Sequence, residues 1–416
     1  MSQLTSTEFI VLLLSISLLL IASRVLAEFG KKVGLPILIG EIIVGILLGP
    51  TLLGRFFPEF TTSLFPQTGS VAVSLDAIFK LSVVLLLFVA GMEVQLPVVL
   101  RQGRLATFTS LTSMIIPFSL GFWISWHFPA LFHWDGNGSR LIYALFFGTA
   151  LSISALPVIA RILLDLGIYR TQIGMLIIAS AMFNDLVGWL IFSVVLALME
   201  KEGVGANLSL TILYVLLYGL FMLTVGRKLL SKLVPWMQDK LSWPGGLLSV
   251  SLGLCFLSAA FTEALGIHAI LGAFIMGIAL GDCAALKEQA RDIIHQFITN
   301  IFAPLFFVSI GLYVNLVDFF DLQLVVLVLV LATVGKLFGA VLGAYMGGLS
   351  LRPAFVVGFG MNARGAMEIV LSTLAYKSGI IGQHLFVALI IMALLTSIAA
   401  GPLMRYFLRD PATKEL

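Results

Sequence analysis

The stretch SAMFNDLVGW, residues 180–189, places an asparagine and an aspartate side by side within a long apolar run. Desolvation favours the protonated form of a carboxylate, whereas nearby cations and hydrogen-bond donors favour the ionised form. Asp185 could therefore hold either a proton or a metal ion, but not both at once. Competition of this kind is the minimum requirement for exchanging one ion against the other. The alternative role is a buried ion pair, because an isolated charge in apolar surroundings is costly.

Further oxygen ligands for a cation at Asp185 could come from its neighbour and from a second polar stretch. The segment TALSISALP contributes Ser152 and Ser154. A hard alkali cation prefers carboxylate, hydroxyl, carbonyl and water oxygens. We therefore predict a site that binds Na⁺ or K⁺ and a proton, with Asp185 as the metal ligand. Asn184, Ser152 and Ser154 complete this candidate cation and proton site.

Two basic residues lie within apolar runs and could balance the charge of the acid. Lys336 belongs to GKLFGAVLGAYMGG, and Arg364 belongs to GFGMNARGAME. An arginine keeps its proton in proteins, so Arg364 contributes a fixed positive charge, and Glu368, one turn further, can pair with it. We assign Lys336, Arg364, Asn362 and Glu368 to charge balance and support of the site. A purely structural role is the alternative for Lys336, Arg364 and Glu368.

The composition indicates the environment of these residues. The chain has 416 residues, of which 60% are hydrophobic and 11% charged, whereas about a quarter of a soluble domain is charged. This predicts an integral membrane protein. The net charge of +3 comes from basic residues scattered through loops, which argues against a nucleic-acid partner. The sequence contains no zinc-protease, Walker A or nucleophile-elbow motif, so we expect neither an enzyme nor a bound cofactor.

Long apolar runs separated by short polar loops predict an all-α fold with about 13 transmembrane helices, each near the roughly 20 residues that cross a bilayer. The predicted spans are residues 9–27, 35–54, 75–95, 106–128, 141–162, 172–198, 208–230, 246–262, 266–281, 298–316, 322–347, 353–376 and 383–408. The charged residues 284–297 predict an amphipathic helix on the membrane surface. Glycines 335, 339, 343 and 347 recur every four residues and predict a face for close helix packing.

The predicted spans place Asp185, Lys336 and Arg364 at similar depths in the bilayer. At about 1.5 Å per residue, Asp185 lies roughly 20 Å, Lys336 roughly 21 Å and Arg364 roughly 17 Å along their helices, which is near mid-membrane. With helix 7 as a linker, the other helices form two sets of six in an inverted repeat. Helices 5 and 12, the fifth of each set, contain proline or glycines beside polar residues and are predicted to be interrupted. Their free carbonyls and amides can line a transport site where protein shields them from lipid.

Six segments, taken together and in this order, resemble a known family. They are LPILIGEIIVGILLGP at 35–50, LLFVAGMEV at 86–94, SISALPVIARIL at 152–163, FNDLVGW at 183–189, GIHAILGAFIMGIALG at 266–281 and GFGMNARGAMEI at 358–369. The chain resembles the monovalent cation:proton antiporter-2 family, and it is similar to plant cation/proton exchangers and their bacterial relatives. The resemblance implies that Asp185 carries cation and proton alternately and that Ser152 and Ser154 help to coordinate the cation. It also implies that Lys336 fills the lysine position of helix 11.

The resemblance further implies a homodimer in which a core domain moves against a dimerisation domain in an elevator-like cycle. The implied division is residues 1–105 for dimerisation helices 1–3, 106–198 for core helices 4–6, 199–232 for linker helix 7, 233–316 for dimerisation helices 8–10 with the surface connector, and 317–416 for core helices 11–13. Lys and Arg are concentrated in the odd-numbered loops and the C-terminal tail, which predicts an external N-terminus and a cytoplasmic C-terminus. We expect a multi-pass protein, surrounded by lipid, in a bacterial inner or plasma membrane.

Many electrogenic members of this family have two adjacent aspartates, and Asn184 replaces the first of them here. With one titrating carboxylate, exchange of one proton for one monovalent cation moves no net charge, so we predict electroneutral exchange. Lys336 keeps electrogenic exchange open, because it could itself release a proton. We expect sodium as the cation and potassium as the alternative. Three further functions stay open, namely a potassium-efflux channel-like protein, a sodium symporter of organic anions, and a membrane scaffold or receptor.

Overall fold

The computed structural model describes residues 4–32, 37–94, 103–134, 136, 138–200, 208–283 and 285–408, and these contain helices and no β-strand. The α-helices are α1 (Ser6–Lys32), α2 (Ile37–Leu48), α3 (Leu53–Phe56), α4 (Pro58–Leu64), α5 (Ser70–Glu93), α6 (Arg104–His127), α7 (Arg140–Ser152), α8 (Leu156–Asp165), α9 (Gln172–Glu200), α10 (Leu208–Phe221), α11 (Arg227–Lys240), α12 (Gly245–Ala264), α13 (Ala269–Gly281), α14 (Glu288–Tyr313), α15 (Leu322–Met346), α16 (Leu351–Met361), α17 (Ala366–Lys377) and α18 (Gln383–Leu408). A 3₁₀ turn spans Pro129–Phe132, and a π-helical turn at Met222–Gly226 joins α10 to α11.

The described helices confirm a multi-pass integral membrane protein. Eleven helical segments are long and apolar enough to cross a bilayer, and two shorter apolar helices, Ala269–Gly281 and Leu351–Met361, accompany them. The thirteen crossings and the inverted repeat stay predictions, because helix length and composition alone do not establish either.

The charged segment at 284–297 differs from its prediction. Helix α14 begins at Glu288 and continues without a break to Tyr313, so the expected separate surface helix is wrong. Ala290, Ile294 and Ile298 are all fully buried and recur every four residues. One buried stripe therefore continues across the predicted boundary, and the charged residues lie on the other faces of the same helix.

Both helices predicted to be interrupted are interrupted in the structure. Helix α7 ends at Ser152 and α8 begins at Leu156, whereas α16 ends at Met361 and α17 begins at Ala366. Pro157 explains the first break, because its ring removes an amide donor and clashes with the carbonyl four residues earlier. Ile153 and Ala155 accordingly have extended backbones, with ψ angles of 146° and 102°.

The chain divides into two compact units. The first unit comprises Met1–Val94 and Ile212–Asp318, and the second comprises Gln95–Thr211 and Phe319–Leu416. All eight residues proposed for the site belong to the second unit, which contains α6 to α9 and α15 to α18. The functional labels of core and dimerisation domain stay predictions.

Helix α15 packs along α6 through its glycine face, which confirms the packing predicted from the four-residue spacing. A Cβ atom built on Gly339 would lie 2.6 Å from the Thr112 carbonyl oxygen, and one on Gly343 would lie 2.6 Å from the Phe108 carbonyl oxygen. Only glycine permits this close backbone approach. Lys336 lies on the same helix and is fully buried, so the packing of α15 brings its charge into the second unit.

The N-terminus of α15 is fixed by a capping aspartate. Asp321 Oδ1 accepts hydrogen bonds from the Gln323 and Leu324 amides at 2.8 and 3.2 Å, while its Oδ2 accepts one from His133 Nε2 at 2.9 Å. The hydrogen bond from His133, followed by those from the helix amides, lowers the pKa of Asp321 from its ordinary value. His133 also stacks on His384, with ring centroids 4.7 Å apart. These contacts hold the start of the helix that carries Lys336.

The Gly343→Ala substitution should destabilise the protein by about 1–3 kcal/mol, because the added methyl group meets the Phe108 carbonyl and the Thr112 hydroxyl. Gly253→Ala is the matched control, since a Cβ at that position of α12 meets nothing within 4 Å. We expect the control to be neutral or more stable by up to about 1 kcal/mol, because alanine favours helix more than glycine. Unfolding midpoints in detergent measure both effects, and equal midpoints would contradict the close packing of α15 on α6.

Candidate functional site

The two helix breaks lie against each other inside the second unit. The Ala155 amide donates a hydrogen bond to the Ala363 carbonyl at 3.0 Å, and the Ser154 hydroxyl donates one to the Met361 carbonyl at 2.7 Å. The two non-helical segments thus supply some of the hydrogen-bond partners that each other's backbone groups lack. The crossing brings together residues that the sequence placed in separate halves of the chain.

Two buried cations cap the C-terminal end of α7. Arg364 donates from Nη1 to the Ala150 carbonyl at 2.6 Å and from Nη2 to the Leu151 carbonyl at 2.5 Å, and Lys336 Nζ donates to the Ser152 carbonyl. The last carbonyls of a helix lack intrahelical partners and carry partial negative charge. Arg364 and Lys336 therefore satisfy these three carbonyls at the end of α7.

The predicted pair between Arg364 and Glu368 is present. Arg364 Nη1 lies 3.2 Å from Glu368 Oε2, and the two side chains are 0% and 1% exposed. The Ser397 hydroxyl of α18 donates to the Arg364 carbonyl. A guanidinium that binds two carbonyls and a carboxylate at once uses the fork of donors that lysine lacks. Arg364 thus joins α7, the second break and α17.

Asn184 contacts Lys336. The amide orientation that satisfies all its neighbours turns the oxygen to Lys336 Nζ at 2.9 Å and to the Ser113 hydroxyl at 3.1 Å, while the nitrogen donates to the Ser110 carbonyl at 3.1 Å. Lys336 therefore donates to two neutral acceptors, the Ser152 carbonyl and the Asn184 amide oxygen. The residue preceding Asp185 is thus the direct partner of the buried ammonium group.

Asp185 is buried on α9 and faces the first break. A Cβ on Gly188 would lie 2.6 Å from Ile153 Cγ1, so this face of α9 packs directly on the non-helical segment. Asp185 precedes Gly188 by one turn on the same side of the helix. Asp185 is 3% exposed. The acid therefore lies beside the unwound backbone and within electrostatic range of the Lys336 amino group.

The serine hydroxyls and Asn362 supply oxygen atoms around the crossing. Ser152 donates its proton to the Thr149 carbonyl at 2.8 Å, and Ser154 donates to Met361 as described above. Each hydroxyl oxygen keeps lone pairs that can accept a proton donor or bind a cation. Asn362 is 4% exposed, and its Oδ1 meets no hydrogen-bond donor among the described residues.

Sequence reasoning missed three contributors, which are Ser110 and Ser113 on α6 and Ser397 on α18. Their sequence signal is weak, because serine in a transmembrane helix usually bonds to its own backbone three or four residues earlier. Ser113 does make such a bond, to Ser110 at 3.1 Å. Only the packing of α6 against α9 shows that Ser113 also contacts Asn184.

The described residues contain no group of three or more His, Cys, Asp or Glu side chains that could hold a metal ion.

Comparisons with known proteins extend these observations. The family model described as "Sodium/hydrogen exchanger, transmembrane" matches residues 15–409. The chain is 31% identical over 409 residues to the Na(+)/H(+) antiporter NhaS4 of Synechocystis sp., which covers 95% of this chain and 99% of the relative. It is 33% identical over 408 residues to the cation/H(+) antiporter 17 of Arabidopsis thaliana, covering 94% of this chain and 48% of the relative.

The chain thus spans about half the length of the Arabidopsis relative. It is also 29% identical over 388 residues to the K(+)/H(+) antiporter 1 of Saccharomyces cerevisiae, covering 88% of this chain and 43% of that protein. The structure of the sodium proton antiporter MjNhaP1 from Methanocaldococcus jannaschii matches 97% of this chain and 100% of its own, with a TM-score of 0.64 and 18% identity. This last likeness shows the fold. The resemblance indicated by the sequence motifs is confirmed.

The cap on α7 predicts unequal effects of two arginine substitutions. Arg364→Ala should destabilise the protein by about 3–5 kcal/mol, because it leaves two buried carbonyls and a buried carboxylate without their cation. The control is Arg161→Ala, whose pair with Asp165 is 74% and 56% exposed, and its effect should stay within about 0.5 kcal/mol. Adding Glu368→Gln to Arg364→Ala should recover part of the loss. Equal unfolding midpoints for the two single variants would contradict the proposed cap.

Proposed function

The chain belongs to the sodium/hydrogen exchanger family of transmembrane proteins, and we propose that it is a secondary antiporter exchanging sodium, with potassium as the alternative, for protons. The observation that carries the proposal is a buried carboxylate, Asp185, beside two interrupted helices. Asp185 can hold a proton or a cation but not both. Its loading with one ion therefore requires release of the other.

Sodium is the preferred cation. One relative, of which this chain covers 99%, is named for sodium, and the yeast relative is named for potassium. Carboxylate, hydroxyl and amide oxygens suit both ions, so the ligand types alone do not choose. In the proposed site Asp185 binds the ion directly, with Ser152, Ser154 and Asn184 nearby. Asn362 lies on the second break and supports the site.

The contacts of the basic residues support an electroneutral exchange of one cation for one proton. Arg364 keeps its proton, and it faces two carbonyls and Glu368. Lys336 donates to a carbonyl and an amide oxygen, acceptors that bind it better as an ammonium ion. Asn184 carries no charge in any state. Asp185 is then the group whose ligand changes, and a proton and a monovalent cation bring it the same charge.

An elevator-type cycle is supported by the location of all eight site residues in one compact unit. We propose that this second unit carries the bound ion across the membrane and that the first unit provides the contact between two copies of the chain. The basic loops favour an external N-terminus and a cytoplasmic C-terminus. In this scheme the protein is a transporter and not an enzyme, and it works without a cofactor.

Asp185→Asn should abolish proton-coupled cation flux, because an asparagine neither ionises nor takes up the exchanged proton. The measurement is dye-monitored proton release from reconstituted vesicles titrated with Li⁺, Na⁺, K⁺ and Rb⁺. We expect the variant to match protein-free vesicles. The control is Asp165→Asn, which changes an exposed carboxylate of the same unit and should retain the flux.

The same assay separates the rival functions. A channel-like protein would keep cation conductance without proton coupling in Asp185→Asn, and a scaffold would show no flux in either form. A symporter would move an anionic solute with the cation and no proton. Persistence of full exchange in Asp185→Asn would overturn the proposed role of this residue.

Electroneutrality predicts that ion jumps produce no sustained transport current. Wild-type protein on a solid-supported membrane, given a sodium or potassium jump at several pH values, should give a signal no larger than that of Asp185→Asn, while exchange continues in vesicles of the same preparation. A sustained, pH-dependent current in the wild type would show that a second group, such as Lys336, releases a proton during the cycle.

A further inference from the structure

A basic helix follows the long apolar segment in the first unit. Residues 208–226 contain no charged side chain and, at about 1.5 Å per residue, extend about 28 Å. The hydrocarbon core of a bilayer is about 30 Å thick. Helix α11 therefore begins, at Arg227, close to the point where the chain leaves the hydrocarbon.

Helix α11 has one face packed on protein and one face that is open. Leu230, Val234 and Met237 are 4%, 0% and 0% exposed, so they form the packed side. The open side, named here the α11 lysine face, consists of Lys228, Leu229, Lys232, Trp236 and Lys240, all exposed. These five positions fall within roughly 120° of the helix circumference.

The packed side is held by an ion pair that leaves the lysines available. Arg227 Nη2 lies 2.5 Å from Asp282 Oδ2, and the Asp282 side chain is 5% exposed. Lys228, Lys232 and Lys240 make no ion pair within the part of the chain that the structure describes. Asp239 is the one acidic residue of α11 and lies among them, so the face keeps a net positive charge.

The apolar members of this face have the composition of an interfacial helix. Leu229 is 60% exposed and Trp236 is 52% exposed, and Trp243, three residues beyond the helix, is 47% exposed. Tryptophan favours the headgroup region because its ring is apolar and its N–H can bond to water or phosphate. Lysines on such a helix can extend their ammonium groups to lipid phosphates while their methylene chains stay in apolar surroundings.

From this juxtaposition we propose that the α11 lysine face binds the headgroups of anionic phospholipids in preference to zwitterionic ones. Three ammonium groups without an acidic partner in the described chain, on a helix that begins close to the end of the hydrocarbon and that exposes Leu229 and Trp236, complement a negatively charged lipid surface. The binding anchors the first unit and is independent of ion exchange at Asp185.

The test uses the 416-residue chain in detergent with phosphatidylglycerol added, and phosphatidylcholine as the zwitterionic comparison. Phosphatidylglycerol should raise the unfolding midpoint of the wild type, and native mass spectrometry should show retained phosphatidylglycerol. In the triple variant Lys228→Gln, Lys232→Gln, Lys240→Gln, the apparent affinity for phosphatidylglycerol should fall about tenfold or more, because each lysine near a charged surface contributes to binding.

Two further variants keep the result interpretable. The first is a triple variant that removes the same charge from exposed positions elsewhere, namely Arg55→Gln, Lys80→Gln, Arg140→Gln. It should retain the wild-type affinity for phosphatidylglycerol. The second is a triple variant that keeps the positive charges, namely Lys228→Arg, Lys232→Arg, Lys240→Arg. It should bind phosphatidylglycerol as tightly as the wild type does, and this result distinguishes an effect of charge from an effect of misfolding. Equal weakening in the two glutamine variants, or equal stabilisation by phosphatidylcholine, would overturn the proposal.

Discussion

The second unit depends on one interaction, the capping of a broken helix by buried cations. Breaking α7 at Ser152 frees carbonyls in an interior that offers no bulk water, and unsatisfied backbone groups there are costly. Arg364 and Lys336 donate to the carbonyls of residues 150–152. The buried cations in turn need acceptors, since an uncompensated charge in an apolar interior is more costly still. The free carbonyls therefore compensate the buried positive charges, and the buried cations satisfy the free carbonyls.

The same contacts determine how charge is distributed around Asp185. With Glu368 and Asp185 ionised and Arg364 and Lys336 protonated, the four charges sum to zero. In the proposed exchange, a proton or a monovalent cation on Asp185 brings the cluster from zero to the same net charge of one positive unit. Asn184 matters here because it gives Lys336 a neutral partner at the position where a second acid would change this balance.

Close backbone packing supports this polar cluster. The glycine face of α15 lets its backbone approach α6, and the first unit uses the same principle where Gly91 of α5 meets α13 and Gly45 of α2 meets Gly311 of α14. Without a hydrophobic driving force between helices in lipid, such contacts rely on close van der Waals packing. Helix α11 differs, because only one of its sides is packed and its lysines face outward.

Features set by local geometry were predictable from the sequence, and those set by packing between distant segments were not. The membrane class, both helix breaks, the Arg364–Glu368 pair and the glycine face follow from composition, proline and the period of a helix. The continuity of α14 was mispredicted, because charged residues on its exposed faces concealed a buried stripe. Lys336 bonds to Ser152, 184 residues away along the chain, and Ser154 bonds to Met361, 207 residues away. Helical periodicity predicts which residues share one face of a helix. Only the tertiary structure decides which other helix packs against that face.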